Sequence, residues 1–179
     1  MRRWRGLRRL NSVVEIITVD SPKAGVLRRK ARAVGRITPQ IQQLIDAMIE
    51  VMHEANGVGL AAPQIGASKR VIVAEVSERL HVLIDPKILK REGEEIGTEG
   101  CLSIPGIIAD VPRAARVKVK AKNRKGKGIT LDADGLLARV LQHEVDHLDG
   151  VLFLDRVVDK STIREVAASA EVEAAVPTA

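Results

Sequence analysis

The sequence predicts an α+β fold, and three observations carry that expectation. Two stretches repeat apolar residues at helical spacing. Several short stretches between them are apolar or alternating, as strands are. No regular strand–helix–strand rhythm connects them. At 179 residues the chain has the length of one domain, enough to bury roughly 70% of the surface an unfolded chain exposes.

The first twelve residues, MRRWRGLRRLNS, hold five arginines and no acid. Residues 1–12 are read as a disordered basic arm ahead of a single domain over 13–179. The other readings of the arm are contact with RNA or an anionic surface, and organellar targeting. Thr38 followed by Pro39 opens the first helix, as an N-cap residue before proline at the first helical position. Ile41, Leu44, Ile45, Met48, Ile49 and Met52 give it one apolar face, and Asn56-Gly57 ends it. Residues 71–76 and 81–84 read as short strands, the second stopped by Asp85-Pro86. Residues 116–122 alternate strictly, which predicts a half-buried strand with Arg116, Lys118, Lys120 and Lys122 on its solvated face. A turn at 123–126 leads to a further strand at 129–131. A helix over about 136–148 follows, closed by Asp149-Gly150. The segment after Asp159 has the composition of a final helix.

Composition narrows the function. Trp4 and Phe153 are the aromatic residues and there is no tyrosine, so recognition of nucleic-acid bases by stacking is not expected. No specific DNA binding is expected either. The longest apolar runs fall short of the roughly 20 residues of a membrane span. Cys101, the one cysteine, cannot form an internal disulfide, so a reducing, cytoplasmic setting is expected.

The residues that carry chemistry are His143-Glu144-Val145-Asp146-His147. Side chains four apart share a helix face, so both imidazoles reach one ion, while Glu144 is turned about 100° away as a general acid/base. Coincidence would demand three rare placements in a chain with 4 histidines. His53 and His81 are read as incidental. Asp146 and Asp149 are read as capping or supporting groups rather than ligands. For a third ligand, the metzincin protease pattern fails, because Phe153 stands where a histidine is required. A thermolysin-like glutamate remains open on spacing, with Glu165, Glu171 and Glu173 available. Cys101 is the other candidate, a soft thiolate in 99–106, EGCLSIPG, which reads as a shaped loop. Residues 57–66, GVGLAAPQIG, permit close backbone approach by a ligand but lack the Lys-Ser/Thr ending of a phosphate loop.

Together GVGLAAPQIG at 57–66, EGCLS at 99–103 and QHEVDHLDG at 142–150 strongly resemble the peptide deformylase family, from about Val13 to about Asp159. The arginine-rich start departs from that pattern. The resemblance implies short, mostly antiparallel strands around a central metal-binding helix, with a C-terminal helix. It implies hydrolysis of the N-formyl group from the first methionine of new polypeptides, with release of formate. By position it makes Cys101, His143 and His147 the metal ligands, leaving the open coordination position of a catalytic site. It makes Glu144 the acid/base, with the Gln64 amide and the Leu102 N–H as oxyanion donors. Gly59 and Gly100 would run beside an extended peptide. Val58, Leu136 and Val140 would line a methionine pocket with Arg139 at its rim, and Arg113 would pair with Glu99 behind the cysteine. The implied ion is Fe2+, with Zn2+, Ni2+ or Co2+ able to substitute. The implied partners are formylmethionyl nascent peptides and, from substrate and charge, the ribosome.

Two rival functions stand beside this one. A small zinc endopeptidase would use a downstream glutamate as third ligand. A basic binding module with a structural metal would need four protein ligands, of which the sequence offers three.

Overall fold

The computed structural model describes residues 14–166; residues 1–13, which include the arm, and 167–179 lie outside that range. Helix α1 (Pro39–Glu54) starts where Thr38 and Pro39 predict, although the Thr38 side chain makes no capping bond. Strands β1 (Gly59–Ala61), β2 (Val71–Val76) and β3 (Arg79–Glu92) follow, with a 3-10 turn over Ala62–Ile65 between the first two. Next come β4 (Glu95–Cys101), β5 (Ile104–Arg113), β6 (Arg116–Lys122) and β7 (Gly128–Asp134), then helix α2 (Gly135–Leu148). A 3-10 turn over Phe153–Arg156, another over Lys160–Thr162 and the short strand β8 (Arg164–Glu165) complete the described chain.

The strands form two antiparallel sheets, ordered β1-β2-β3-β6-β7 and β4-β5-β8. α1 packs Ile41, Ile45, Met48 and Met52 against Leu60, Val71, Val73 and Ile84, burying the apolar face its spacing predicts. α2 sets Ala138, Val140, Leu141, Val145 and Leu148 against Ile72, Ala74, Leu83, Val117 and Val119. From Val140 to Leu148 every residue of α2 is buried. A helix covered on all sides is normally apolar, so each charged residue on it needs a partner. That requirement shapes the site.

Three expectations need correction. The segment after Asp159 does not begin a helix: its described part is a 3-10 turn and the strand β8, and its remainder lies outside the described residues. β3 does not stop at Asp85-Pro86. It crosses them on a register shift between Ile84 and Lys87, with Asp85 in the left-handed region at φ 54°. Asp85 is fixed there because its N–H donates to Arg70 O at 2.8 Å. Its carboxylate accepts from Val34 N at 2.8 Å and from Lys122 Nζ at 3.0 Å. A bulge is a place where a sheet tolerates proline. Finally, the cysteine stretch is no free loop. Cys101 ends β4, and a tight turn through Leu102-Ser103 enters β5.

Candidate metal centre

The site is where the end of β4 meets α2. On β4, side chains two apart share a face, so Glu99 and Cys101 point the same way, toward the helix. On α2, the four-residue spacing puts His143 and His147 on the facing side. The ligand atoms of Cys101, His143 and His147 all lie within 4.8 Å of one another, with Cys101 Sγ 3.2 Å from His147 Nε2. All three side chains are buried. Among the described residues this is the one group of three or more His, Cys, Asp or Glu close enough to share an ion. Glu165 lies exposed on β8 opposite Ile107 and takes no part, while Glu171 and Glu173 fall outside the described residues.

The charges behind the cluster orient it. Glu99 Oε2 accepts from His143 Nδ1 at 3.0 Å. Arg113 grips the same carboxylate with two bonds, at 2.8 and 2.9 Å, and Arg139 adds a third at 2.9 Å. Burial alone would raise the Glu99 carboxyl, but the hydrogen bonds and charges of Arg113 and His143 hold it well below the usual carboxylate range. An ionised carboxylate only accepts, so His143 carries its proton on Nδ1 and leaves Nε2 toward the cluster. Asp146 accepts from Arg113 at 2.6 Å and from Arg156 at 2.8 and 3.0 Å, so this buried charge is partnered too. Asp149, at the C-cap of α2, accepts from Arg70 at 2.7 Å and is not part of the cluster. The exposed His53 pairs with Glu75 and is not part of the cluster either.

The donor set suits a divalent ion of borderline softness: one thiol and two imidazoles. Burial pushes the His147 pKa well below its ordinary value, so that ring is the neutral base a metal binds. Two buried polar atoms among the described residues lack any hydrogen-bond partner, Glu144 Oε2 and His147 Nδ1, and both lie within the His-Glu-x-x-His turn. Such orphans cost about 1–3 kcal/mol each. Glu144 borders the cleft over the cluster, so its unpartnered oxygen is available to a group bound there. Burial raises the Glu144 carboxyl to about 7, where it can both take and return a proton near neutrality.

Gln64 reaches the site from the turn after β1. Its Oε1 accepts the Ala61 N–H at 2.7 Å, which forces Nε2 outward, 3.3 Å from Ser103 Oγ and 3.8 Å from Cys101 Sγ. A cleft opens over the cluster. Val58, Gly59, Gly100, Leu102, Leu136, Arg139 and Val140 line it, along with Gln64, Glu144 and the cluster residues Cys101 and His143. The residues to which the resemblance gives ligand, acid/base, oxyanion or substrate roles all line this one cavity except His147, which contacts Cys101.

Two residues carry more here than sequence reasoning assigned them. Glu99 orients His143 as well as pairing with Arg113. Ser103, fully buried, holds the Gln64 amide. The signal for Glu99 was its place two residues before Cys101 on a common strand face, visible only once that stretch is read as a strand.

Gly59 has a steric reason. A Cβ there would stand 2.6 Å from Glu144 Oε1 and 2.8 Å from Val140 Cγ1. Gly59→Ala is expected to displace Glu144 and lower kcat/KM about 100-fold, the scale of a misplacement near 1 Å. Steady-state kinetics beside a melting curve would check it, since a fold defect would lower Tm as well.

Comparison with known proteins agrees with this geometry. The polypeptide deformylase family profile matches residues 13–162. A peptide deformylase of Desulfitobacterium hafniense is 52% identical over 145 residues, covering 81% of this chain and 95% of that one. Among solved structures, the Synechococcus elongatus peptide deformylase in complex with actinonin superposes with a TM-score of 0.79 at 45% identity, covering 83% of this chain and 81% of the other. The Thermus thermophilus enzyme gives 0.75 at 47% identity, covering 89% and 90%. With its thiol and paired imidazoles converging under a buried glutamate, and with that match along most of its length, the chain belongs to the polypeptide deformylase family.

Proposed function

We propose that this enzyme, a metal-dependent hydrolase that removes the N-formyl group from formyl-methionyl peptides, holds one divalent ion on Cys101, His143 and His147 and uses Glu144 as its general acid/base. The observation that carries this is the meeting of a strand-end thiol and two helix imidazoles within 4.8 Å, beside a buried carboxylate. When bound, the ion supplies Lewis acidity, making water acidic enough to act as a nucleophile near neutral pH.

The protein groups do the rest. Glu144 takes the proton of the attacking water. As the formyl C–N bond breaks, it delivers that proton to the departing amine, and formate and a free methionyl amine remain. The Gln64 Nε2–H and the Leu102 backbone N–H stabilise the oxyanion that develops on the formyl oxygen, each worth about 3–4 kcal/mol. Val58, Leu136 and Val140 form the apolar wall for the methionine side chain, with Arg139 at the rim. Gly59 and Gly100 let an extended peptide lie close to backbone, a mode tolerant of sequence. That tolerance suits an enzyme acting on many nascent chains in the cytoplasm, and the net charge of +6 favours meeting them at the ribosome. Iron(II) is the resident ion in this reading, with zinc, nickel or cobalt able to replace it.

Formate release from formyl-Met-Ala-Ser, with and without a chelator, tests the proposal. Release that stops on chelation and returns on adding iron(II) without oxygen is the expected result. Cleavage at an internal peptide bond instead would point to an endopeptidase, and inertness to a structural metal. Metal content after anaerobic purification identifies the ion.

A further inference from the structure

Arg139 does more than border the cleft. Its Nη1 lies 2.9 Å from Val111 O, 2.9 Å from Glu99 Oε1 and 3.4 Å from Gly97 O, and its Nη2 lies 2.8 Å from Glu95 O. The side chain is 13% exposed. Its donors are thus spent largely on β4 and β5. Gly97 makes room for it: a Cβ there would stand 2.9 Å from Arg139 Nη2. Glu95 and Gly97, whose carbonyls Arg139 reaches, stand opposite Arg113 and Val111 at the start of the β4–β5 ladder. β4 is also the edge of its sheet. The cleft over the metal cluster continues along it into a second groove that shares Val58, Leu136 and Arg139 and reaches Glu95, Ile96 and Gly97.

We infer that Arg139 is a positioning residue that pins the outer half of β4 to α2, and so sets the edge along which the substrate pairs beyond its second residue. The inference rests on the deformylase reading. From Cys101 to Glu95 the strand spans about 20 Å at roughly 3.3 Å per residue, so a substrate needs about six residues to use all of it. Arg139 therefore governs how much the enzyme gains from peptide length, over and above its share in holding Glu99.

The test compares formyl-Met-Ala with formyl-Met-Ala-Ser-Ala-Ser-Ala. In the unaltered enzyme kcat/KM is higher for the longer peptide. In Arg139→Leu that advantage falls about tenfold, chiefly through KM, the scale of losing a charge-assisted hydrogen-bond set. Arg139→Lys recovers part of it, because one ammonium cannot span the same acceptors. Gly97→Ala, which keeps the charge and pushes the guanidinium aside, shows the same loss and serves if Arg139→Leu folds poorly. An advantage of length that persists in both variants, or an equal fall for both peptides, overturns the inference. No formate from even formyl-Met-Ala with the unaltered enzyme would instead overturn the deformylase reading.

Discussion

Glu144→Ala is expected to lower kcat by about 100- to 10,000-fold, the range that positioned proton transfer contributes, while the variant still takes up its ion. The separation follows from the helix. His143 and Glu144 are neighbours in sequence but about 100° apart around α2, so removing the carboxylate leaves both imidazoles in place. His143 stays oriented by Glu99 at 3.0 Å, and His147 stays against Cys101 at 3.2 Å. Burying an alanine methyl where an unpartnered carboxylate oxygen stood also relieves a cost, so the variant should melt no lower than the parent. Metal analysis, a melting curve and single-turnover formate release on one preparation would check all three parts. Turnover near the parental rate would remove Glu144 from the reaction.

Arg113→Ala should be the most damaging single change to the fold. Arg113 is 6% exposed and Glu99 4%, and the guanidinium also bonds Asp146. Burial alone would push the Arg113 pKa down; its bonds to the two carboxylates raise it above the usual value. Truncation leaves two buried carboxylates short of a cation, a situation that costs about 3–5 kcal/mol. For a domain of this size that corresponds to a Tm lower by roughly 6–20 °C. Adding Glu99→Gln to the variant should recover part of the loss by removing one stranded charge, although it also loosens His143. Thermal unfolding of the single and double variants would decide, and a Tm within 2 °C of the parent would show that water or Arg139 replaces the lost cation.

Much of the site was legible because its chemistry is spelled in rare residues at fixed intervals. His143 and His147 need only the helical repeat to be placed together, and Pro39 and Gly150 bracket the two helices by backbone rules that hold without tertiary help. The alternation of 116–122 likewise matches β6 residue for residue. What resisted reading was the β4–β5 hairpin. Its glycines, prolines and acids have poor strand propensity, and the pairing is stabilised by contacts no local pattern contains: Arg113 beneath Glu99, and Arg139 across Gly97. The continuation of β3 past Asp85-Pro86 was hidden for the same reason, since Lys122, Val34 and Arg70, all distant in sequence, hold the bulge.

The wide separation of the donors along the chain has a thermodynamic side. Cys101 and His147 stand 46 positions apart, one on a strand end and one on a helix, so they are neighbours only once both sheets have closed around α2. An unfolded chain offers no comparable grip, and occupancy is therefore linked to folding. Each tenfold rise in free ion above its dissociation constant adds about 1.4 kcal/mol to the native state. With an ion held as proposed, the cell's supply of it would act on the lifetime of this protein as well as on its rate.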